Sequence, residues 1–476
     1  MSDVAGSTAR AAADIAADAA VVGGGIAGLS AAGRMAQLGL GVVVLEAGDD
    51  ERYLCNSRLS GGAFHICYRD PMAGAVELRS AIEQSTEGTA SPAVADAVAA
   101  GAAAMMAWLR GEGVGFARGG AEEYKRWVLT PLRPARPGMV WEGRGGDVTL
   151  RRLEANFLGR GGRLMRGQRV SAIEPDGAGG WIVRTQSGTV VRAPAVVIAD
   201  GGFQADAERV GRHISPRPDR VLQRGAGTGR GDGIRMATAL GAATVGLDRF
   251  YGHVMVAEAL GNPGLWPYPW ADPIVTAGPV VDADARRFVD EAKGAVFVAN
   301  AIARLADPLS AVAVFDEAIW RGPAAGGVIP PNPNLEAAGA TVCRAATLED
   351  LAVQMGLPPA ALTDTVARWN AALAAGRGDT LAPARGAGPP KAYLVVEPPF
   401  GAVRLCAGMT YTMGGIAIDG DARVLREDGS AMDGLYAAGT ATGGLEGGPR
   451  SGYVGGLAKS CITGLLAAAH IAARRR

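Results

Sequence analysis

Histidine is scarce in this 476-residue chain: there are four, His65, His213, His253 and His470, and no two are neighbours in sequence. The five cysteines, Cys55, Cys67, Cys343, Cys406 and Cys461, are odd in number and widely spaced, and they form neither a CxxC nor a CxxCH pattern. These shortages argue against zinc, iron–sulfur clusters and attached haem, whose ligands recur at short spacings, so no metal site is expected. Sparse unpaired thiols suit a reducing cytoplasm, the expected location. Net charge is missing as well: Lys plus Arg and Asp plus Glu both total 47, which leaves no global field for nucleic acid or an anionic membrane. No uninterrupted apolar run approaches the roughly 18–20 residues that cross a bilayer, so no membrane span is expected. Residues 1–17 are rich in alanine but carry Asp3, Arg10 and Asp14; they read as a disordered tail rather than a signal peptide.

Glycine is what the chain has in abundance, with 71 residues, and the most informative of them are clustered near the start. The run Val21-Val22-Gly23-Gly24-Gly25-Ile26-Ala27-Gly28 is followed by Gly41-Val42-Val43-Val44-Leu45-Glu46. Gly23 permits a tight strand-to-helix turn, Gly25 lets backbone approach a pyrophosphate, and Gly28 lets a helix over residues 26–38 lie close on the strand. The free N–H groups of that helix then face phosphates, and Glu46 stands where an acid accepts hydrogen bonds from ribose hydroxyls. Strand, turn, helix, second strand and acid all fall at the spacing of a dinucleotide site.

Length predicts more than one hydrophobic core. Strand-like runs at 163–173, 181–185 and 195–199 follow, the last ending in Asp200-Gly201-Gly202, and helical patterns occupy 93–112, 146–158 and 231–240. From 249 to 405 the character changes. Gly264-Leu265-Trp266-Pro267-Tyr268-Pro269-Trp270 gathers proline and tryptophan, and amphipathic stretches cover 295–305, 347–354 and 359–375. Thr347-Leu348-Glu349-Asp350 has a capping-box pattern at the start of the second. Short apolar strands and glycines at 413–419 and 434–444 then return to the first unit, and a final helix is expected at 456–473. The fold class read from this order is α/β, a Rossmann-like nucleotide-binding domain (18–248 and 406–476) with an inserted α+β domain (249–405).

Several segments together resemble the fumarate reductase/succinate dehydrogenase flavoproteins, in particular the soluble branch that includes tricarballylate and 3-ketosteroid dehydrogenases. They are Asn56-Ser57-Arg58-Leu59-Ser60-Gly61-Gly62, Gly143-Arg144-Gly145-Gly146-Asp147, Ala199-Asp200-Gly201-Gly202-Phe203, Gly231-Asp232-Gly233, Arg287-Phe288-Val289-Asp290-Glu291, Thr412-Met413-Gly414-Gly415 and Tyr436 through Gly444. The resemblance implies FAD held between the nucleotide-binding domain and a mobile cap, with a small-molecule substrate under the cap. It places Gly23, Gly25, Ile26, Ala27, Glu46 and Ala47 at the ADP moiety. Asn56, Ser57, Arg58, Ser60, Gly61 and Gly62 would follow the pyrophosphate and ring, and Val170 would meet adenine through its backbone. Asp200, Gly201 and Asp232 would face the cofactor, with Gly439, Thr440, Gly455 and Leu457 at the ring edge. Relatives with covalent flavin carry a histidine before the double glycine; Cys55, Asn56 and Ser57 stand there, so FAD is expected to be non-covalent.

The same resemblance implies hydride exchange between flavin and one substrate carbon while a proton moves on the next, next to a carboxylate or ketone. His253, in Phe250-Tyr251-Gly252-His253, and Arg450, in Gly447-Gly448-Pro449-Arg450-Ser451-Gly452-Tyr453, resemble residues that grip a substrate carboxylate. Fumarate reducers have an arginine proton donor where Glu291 is followed by Ala292-Lys293, and a histidine where Tyr411 stands, so fumarate reduction is not expected. Tyr453 is the first candidate base, with Arg450 as the cation that would lower its pKa; Tyr251, Tyr411 and Lys293 are others. The leading substrate class is a di- or tricarboxylate of tricarballylate type, and desaturation of a cyclic ketone or ketosteroid is the alternative. A flavin monooxygenase or flavin electron carrier is the reading from another class. Because haem and iron–sulfur motifs are lacking, electrons would leave through an external acceptor.

Overall fold

The computed structural model describes residues 14–133, 136–138, 140–327 and 329–475. Its central sheet has six strands in the order Arg423–Leu425, Ala431–Ala437, Val196–Ile198, Ala19–Val22, Val42–Leu45 and Arg163–Met165. All pairings are parallel except that of the edge strand Arg423–Leu425. The uniformly apolar Ala19–Val22 and Val42–Leu45 are buried along their whole length, as strands covered on both faces must be. The helix Ile26–Gln37 packs on this sheet and against the carboxy-terminal helix Gly456–Arg474.

The expected disordered tail needs correction at its end. Residues Asp14–Ala16 form a strand that pairs in parallel with Val190–Ala193, so main-chain groups that a free tail leaves to water are bonded along the edge of a second, four-stranded sheet. Residues 1–13 of that expected tail lie outside the described residues.

A third sheet is built around the long strand Phe400–Thr412, which pairs with Val221–Gln223, Phe250–Val256, Val312–Phe315 and Cys343–Ala345. It does not divide at the expected residues. Val221–Gln223 belongs to it before 249, and Phe400–Thr412 runs unbroken across 405, because a continuous hydrogen-bonded strand offers no break at which a domain could separate. Helices Ala295–Ala303, Leu348–Met355 and Pro359–Ala374 accompany this sheet, and Thr347 Oγ1 accepts from Asp350 N–H at 3.1 Å as the capping box requires. Pro92–Gly111 and Gly456–Arg474 are long and apolar enough by composition to cross a bilayer, although neither is an uninterrupted apolar run. Both are packed into this fold against each other.

Candidate functional site

Strand Ala19–Val22 delivers the chain to Gly23, whose φ of +99° only glycine adopts without strain. A Cβ on Gly28 would stand 2.0 Å from Gly23 O, so the helix can reach this close only with glycine there. Ser57 Oγ accepts from Ile26 N–H at 3.1 Å, at the helix start. Glu46 is buried, and its two oxygens accept from Gly24 N–H and Gly48 N–H, each at 2.7 Å. Burial raises its pKa against the opposing pull of those N–H groups.

This turn opens on a cleft walled by several of the expected segments. Of the expected cofactor residues, Gly23, Gly25, Ile26, Ala27, Glu46, Ala47, Asn56, Ser57, Val170, Asp200, Gly201, Asp232 and Thr440 line it together. Two buried oxygens in its wall, Asp200 Oδ1 and Gln204 Oε1, have no partner in the protein, and such orphans call for a ligand with hydrogen-bond donors. Burial pushes the Asp200 carboxyl up to about 7, against a hydrogen bond from Gly233 N–H and with help from neighbouring Asp232. The glycine cradle and these orphaned acceptors fit FAD. Gln168, Arg169, Gln204, Thr228 and Arg230 also line the cleft and escaped the sequence reading; Arg169 is paired with Asp232. Only the basic character of Arg169 and Arg230 beside known segments could have signalled them.

Other expected contacts are not in the wall of this cleft. Arg58 is turned away from the cleft and fully buried, with Nη1 2.5 Å from Asp147 and Nη2 3.1 Å from Glu154, because a guanidinium taken out of water requires carboxylates. It fastens the short helix Asn56–Leu59 to the helix Gly145–Gly159. Gly439 donates to Thr463 Oγ1 at 2.9 Å and packs on Ala27 and Ser460, between helices. Gly455 is held by Glu446, and its N–H donates at 3.2 Å. Ser60, Gly61, Gly62 and Leu457 likewise lie outside the cleft wall, and Ser60 Oγ is buried without a partner.

A second cluster lies where strand Phe250–Val256 pairs with Phe400–Thr412, with Tyr251 opposite Tyr411 and His253 opposite Gly408. Tyr251 Oη is 3.1 Å from His253 Nε2, and His253 Nδ1 is 2.6 Å from Asp272 Oδ2. Asp272 opens the helix Asp272–Ala277, and its other oxygen accepts from Val254 N–H at 2.9 Å, which fixes its direction. The His253 ring stacks on Trp270 with centroids 3.7 Å apart, and the Tyr251 ring stacks on Tyr453 at 3.9 Å. Burial holds the His253 pKa below its usual value; Asp272 opposes this and Arg224 reinforces it. Burial raises the Tyr251 pKa, partly offset by Arg224.

Arg450 and Tyr453 are not brought together as expected. Arg450 is exposed in a turn closed by reciprocal hydrogen bonds between Gly447 and Gly452, at 2.9 and 2.7 Å. Tyr453 is pushed well above the usual tyrosine range by burial and by Tyr251, Tyr68 and Glu446, against a hydrogen bond with Gly456 N–H. Tyr411 donates to Glu446 at 3.1 Å. Trp270, from the proline- and tryptophan-rich segment, joins the cluster, as do Asp272 and Glu446, which no local motif marks.

A family model described as FAD binding domain matches residues 18–454. A probable fumarate reductase of Shewanella frigidimarina is 26% identical over 271 residues, 55% of this chain but only 42% of that protein, so the chain spans less than half of its length. A 4-oxocyclohexanecarboxylate 2-dehydrogenase of Sinomonas cyclohexanicum is 28% identical over 363 residues, 67% of this chain and 60% of that protein. Among solved structures, 3-ketosteroid-Δ4-(5α)-dehydrogenase of Rhodococcus jostii RHA1 shares the fold with a TM-score of 0.73 at 22% identity, covering 98% of this chain and 99% of that one. The backbone cradle at Gly23 and Gly28 and a family match that runs through almost the whole chain lead to one conclusion: the chain belongs to the FAD binding domain family, and FAD is its cofactor.

Proposed function

We propose that this chain is an oxidoreductase acting on CH–CH groups, which desaturates a cyclic ketone between its α and β carbons. The observation that carries the reading is the Tyr251–His253–Asp272 relay, with contacts of 3.1 and 2.6 Å. A carbon next to a ketone is a very weak acid, so its proton leaves only to a positioned base in a site that stabilises the developing enolate. A lone buried phenol is a poor base precursor, because burial disfavours its ionised form. Coupled to His253, Tyr251 takes the α proton as it passes its own to Nε2, and tyrosinate need not accumulate. His253 is neutral at rest because burial depresses its pKa, and Asp272 stabilises the imidazolium once it forms. FAD, when bound, accepts the hydride from the β carbon. Tyr453 holds the Tyr251 ring by stacking, and Trp270 does the same for His253.

The tricarballylate reading gives way because Arg450, its expected carboxylate contact, is exposed, whereas two of the proteins described above are named for ketones. The five unpaired cysteines suit a reducing compartment such as the cytoplasm. No histidine lines the cleft among the described residues, in keeping with FAD that is released on acid precipitation. The test is anaerobic mixing of the holoenzyme with cyclic ketones, 3-ketosteroids, dicarboxylates and tricarballylate while following flavin absorbance. Ketones are expected to bleach the flavin; bleaching by tricarballylate alone would overturn the reading.

A further inference from the structure

We propose that Arg133, Arg144 and Arg224 form an anion subsite beside the Tyr251–His253 relay, so that the ketone this enzyme takes also carries a carboxylate. The inference rests on the ketone reading for the reaction and on the arginines alone for the carboxylate.

Arg224 and Arg144 are buried, at 8% and 9% exposed. Arg224 donates from Nε to Pro267 O at 3.1 Å and from Nη1 to Thr410 Oγ1 at 2.7 Å, both neutral acceptors. Arg144 Nε has no partner at all. Among the described residues, neither these two nor Arg133 joins an ion pair. Two other buried guanidiniums are matched by carboxylates, and a third, Arg385, by several carbonyls although its Nε is unpartnered. Arg58 has Asp147 and Glu154, Arg287 lies 2.5 Å from Glu291, and Arg385 is spread over the carbonyls of Thr276, Gly386 and Pro390. A buried cation without a counter-charge is costly, and bringing several together adds repulsion that a bound anion would relieve.

Arg133 and Arg224 converge on the Tyr268 ring, and Arg144 lies within reach of the Arg133 charge. The Arg133 guanidinium carbon is 4.0 Å from the centre of the Tyr268 ring and that of Arg224 is 5.3 Å away. Arg224 also stands 5.1 Å from the Trp270 ring, which stacks on His253. Burial lowers the Arg144 pKa and repulsion from Arg133 lowers it further; Tyr268 and, less, Glu142 oppose this. Burial would raise the Tyr268 pKa, yet Arg133 and Arg224 outweigh it and bring the phenol below its usual value, the effect of a field that favours an anion. None of the three arginines lines the cleft at Gly23. An arginine group that presents several parallel N–H donors matches a carboxylate, and its position next to His253 puts that carboxylate on the same molecule as the reacting ketone.

The test titrates oxidised holoenzyme, without oxygen, with 4-oxocyclohexanecarboxylate and its methyl ester, and with the unreactive pair cyclohexanecarboxylate and its methyl ester. Half-saturation is read from the flavin spectrum. In each pair the acid is expected to bind at least about tenfold more tightly than the ester, and Arg224→Gln is expected to abolish the difference. Arg133→Gln, at a half-exposed position, gives the same readout should Arg224→Gln fail to retain FAD. Equal affinity for acid and ester in the unmodified enzyme overturns the subsite and would make Tyr268 itself the anion these arginines hold. If neither ketone bleaches the flavin, the ketone reading fails, while tighter binding of cyclohexanecarboxylate than of its ester still supports the subsite.

Discussion

Lys459 Nζ lies 3.0 Å from Glu446 Oε2, and neither side chain has any exposure to solvent. The lysine sits in the otherwise largely apolar helix Gly456–Arg474, and the same carboxylate accepts from Val454 N–H, Gly455 N–H and Tyr411 Oη at 2.9, 3.2 and 3.1 Å. One ion pair therefore joins the last helix, the loop that carries Tyr453 and the long strand of the third sheet. Removing one partner strands a buried charge, so Lys459→Met is expected to destabilise the holoenzyme by about 3–5 kcal/mol in denaturant unfolding. Adding Glu446→Gln should recover part of that loss, because the amide oxygen can still accept from the backbone. A double variant no more stable than Lys459→Met would show that hydrogen bonds to the charge, not the charge balance, matter here.

The relay makes a kinetic prediction. Tyr251→Phe removes the group that meets the α proton and is expected to slow flavin reduction by ketone about 10²–10⁴-fold with FAD still bound. The unmodified enzyme should lose activity on the acid side below pH 6.5, because burial depresses His253 and only its neutral form accepts a proton. Asp272 opposes that depression, so in Asp272→Asn the acid limb should move to still lower pH while the maximal rate falls. An acid limb that stays in place in Asp272→Asn excludes His253 as the titrating group.

The nucleotide half of the site was legible in sequence because its chemistry is carried by backbone. A glycine that must exist at Gly23 or Gly28 for steric reasons leaves a local signature, and so does an acid at the end of the next strand. The substrate half was legible only in part. His253 and Tyr251 share a strand and could be read together, but Asp272 and Trp270 reach them by tertiary packing, and Arg224 follows the strand Val221–Gln223 of the same sheet. Arg58 and Arg450 show the opposite failure. Both sit in recognisable segments, yet position in a motif does not fix where a long side chain points: Arg58 found carboxylates inside and Arg450 found water outside.

His65 supplies a stability prediction. It is buried, its Nδ1 accepts from Tyr68 N–H at 3.1 Å, and burial lowers its pKa to about 4, opposed only by Glu446. The folded pKa lies below the unfolded value near 6.5, so the group's contribution is intact above pH 6.5 and is lost as pH falls toward 4. A shift of that size corresponds to about 3 kcal/mol. His65→Asn keeps a side-chain acceptor near the Tyr68 N–H without a titrating ring. Between pH 7 and pH 4 it should lose about 3 kcal/mol less unfolding free energy than the unmodified protein; parallel losses would place the acid sensitivity elsewhere.

Asp200 offers a test of the cofactor cleft that does not depend on turnover. Its carboxyl lines the cleft, one oxygen is bonded to Gly233 N–H at 2.7 Å, and the other has no partner in the protein. With its pKa raised to about 7, chiefly by burial and further by Asp232, the group is neutral at pH 6 and charged at pH 8.5. FAD brings a diphosphate into the same cleft, and a new negative charge there disfavours it. Affinity for FAD is therefore expected to be constant below about pH 7 and to weaken above it, by at most about tenfold per pH unit, the limit for one coupled proton. Asp200→Asn keeps the shape and one acceptor but cannot ionise, so its FAD dissociation constant should be nearly flat from pH 6 to 8.5. Equilibrium titration of the FAD-free protein, followed by quenching of flavin fluorescence, reads both profiles. If the two proteins lose affinity in step as pH rises, a different group titrates and Asp200 is already ionised at pH 6.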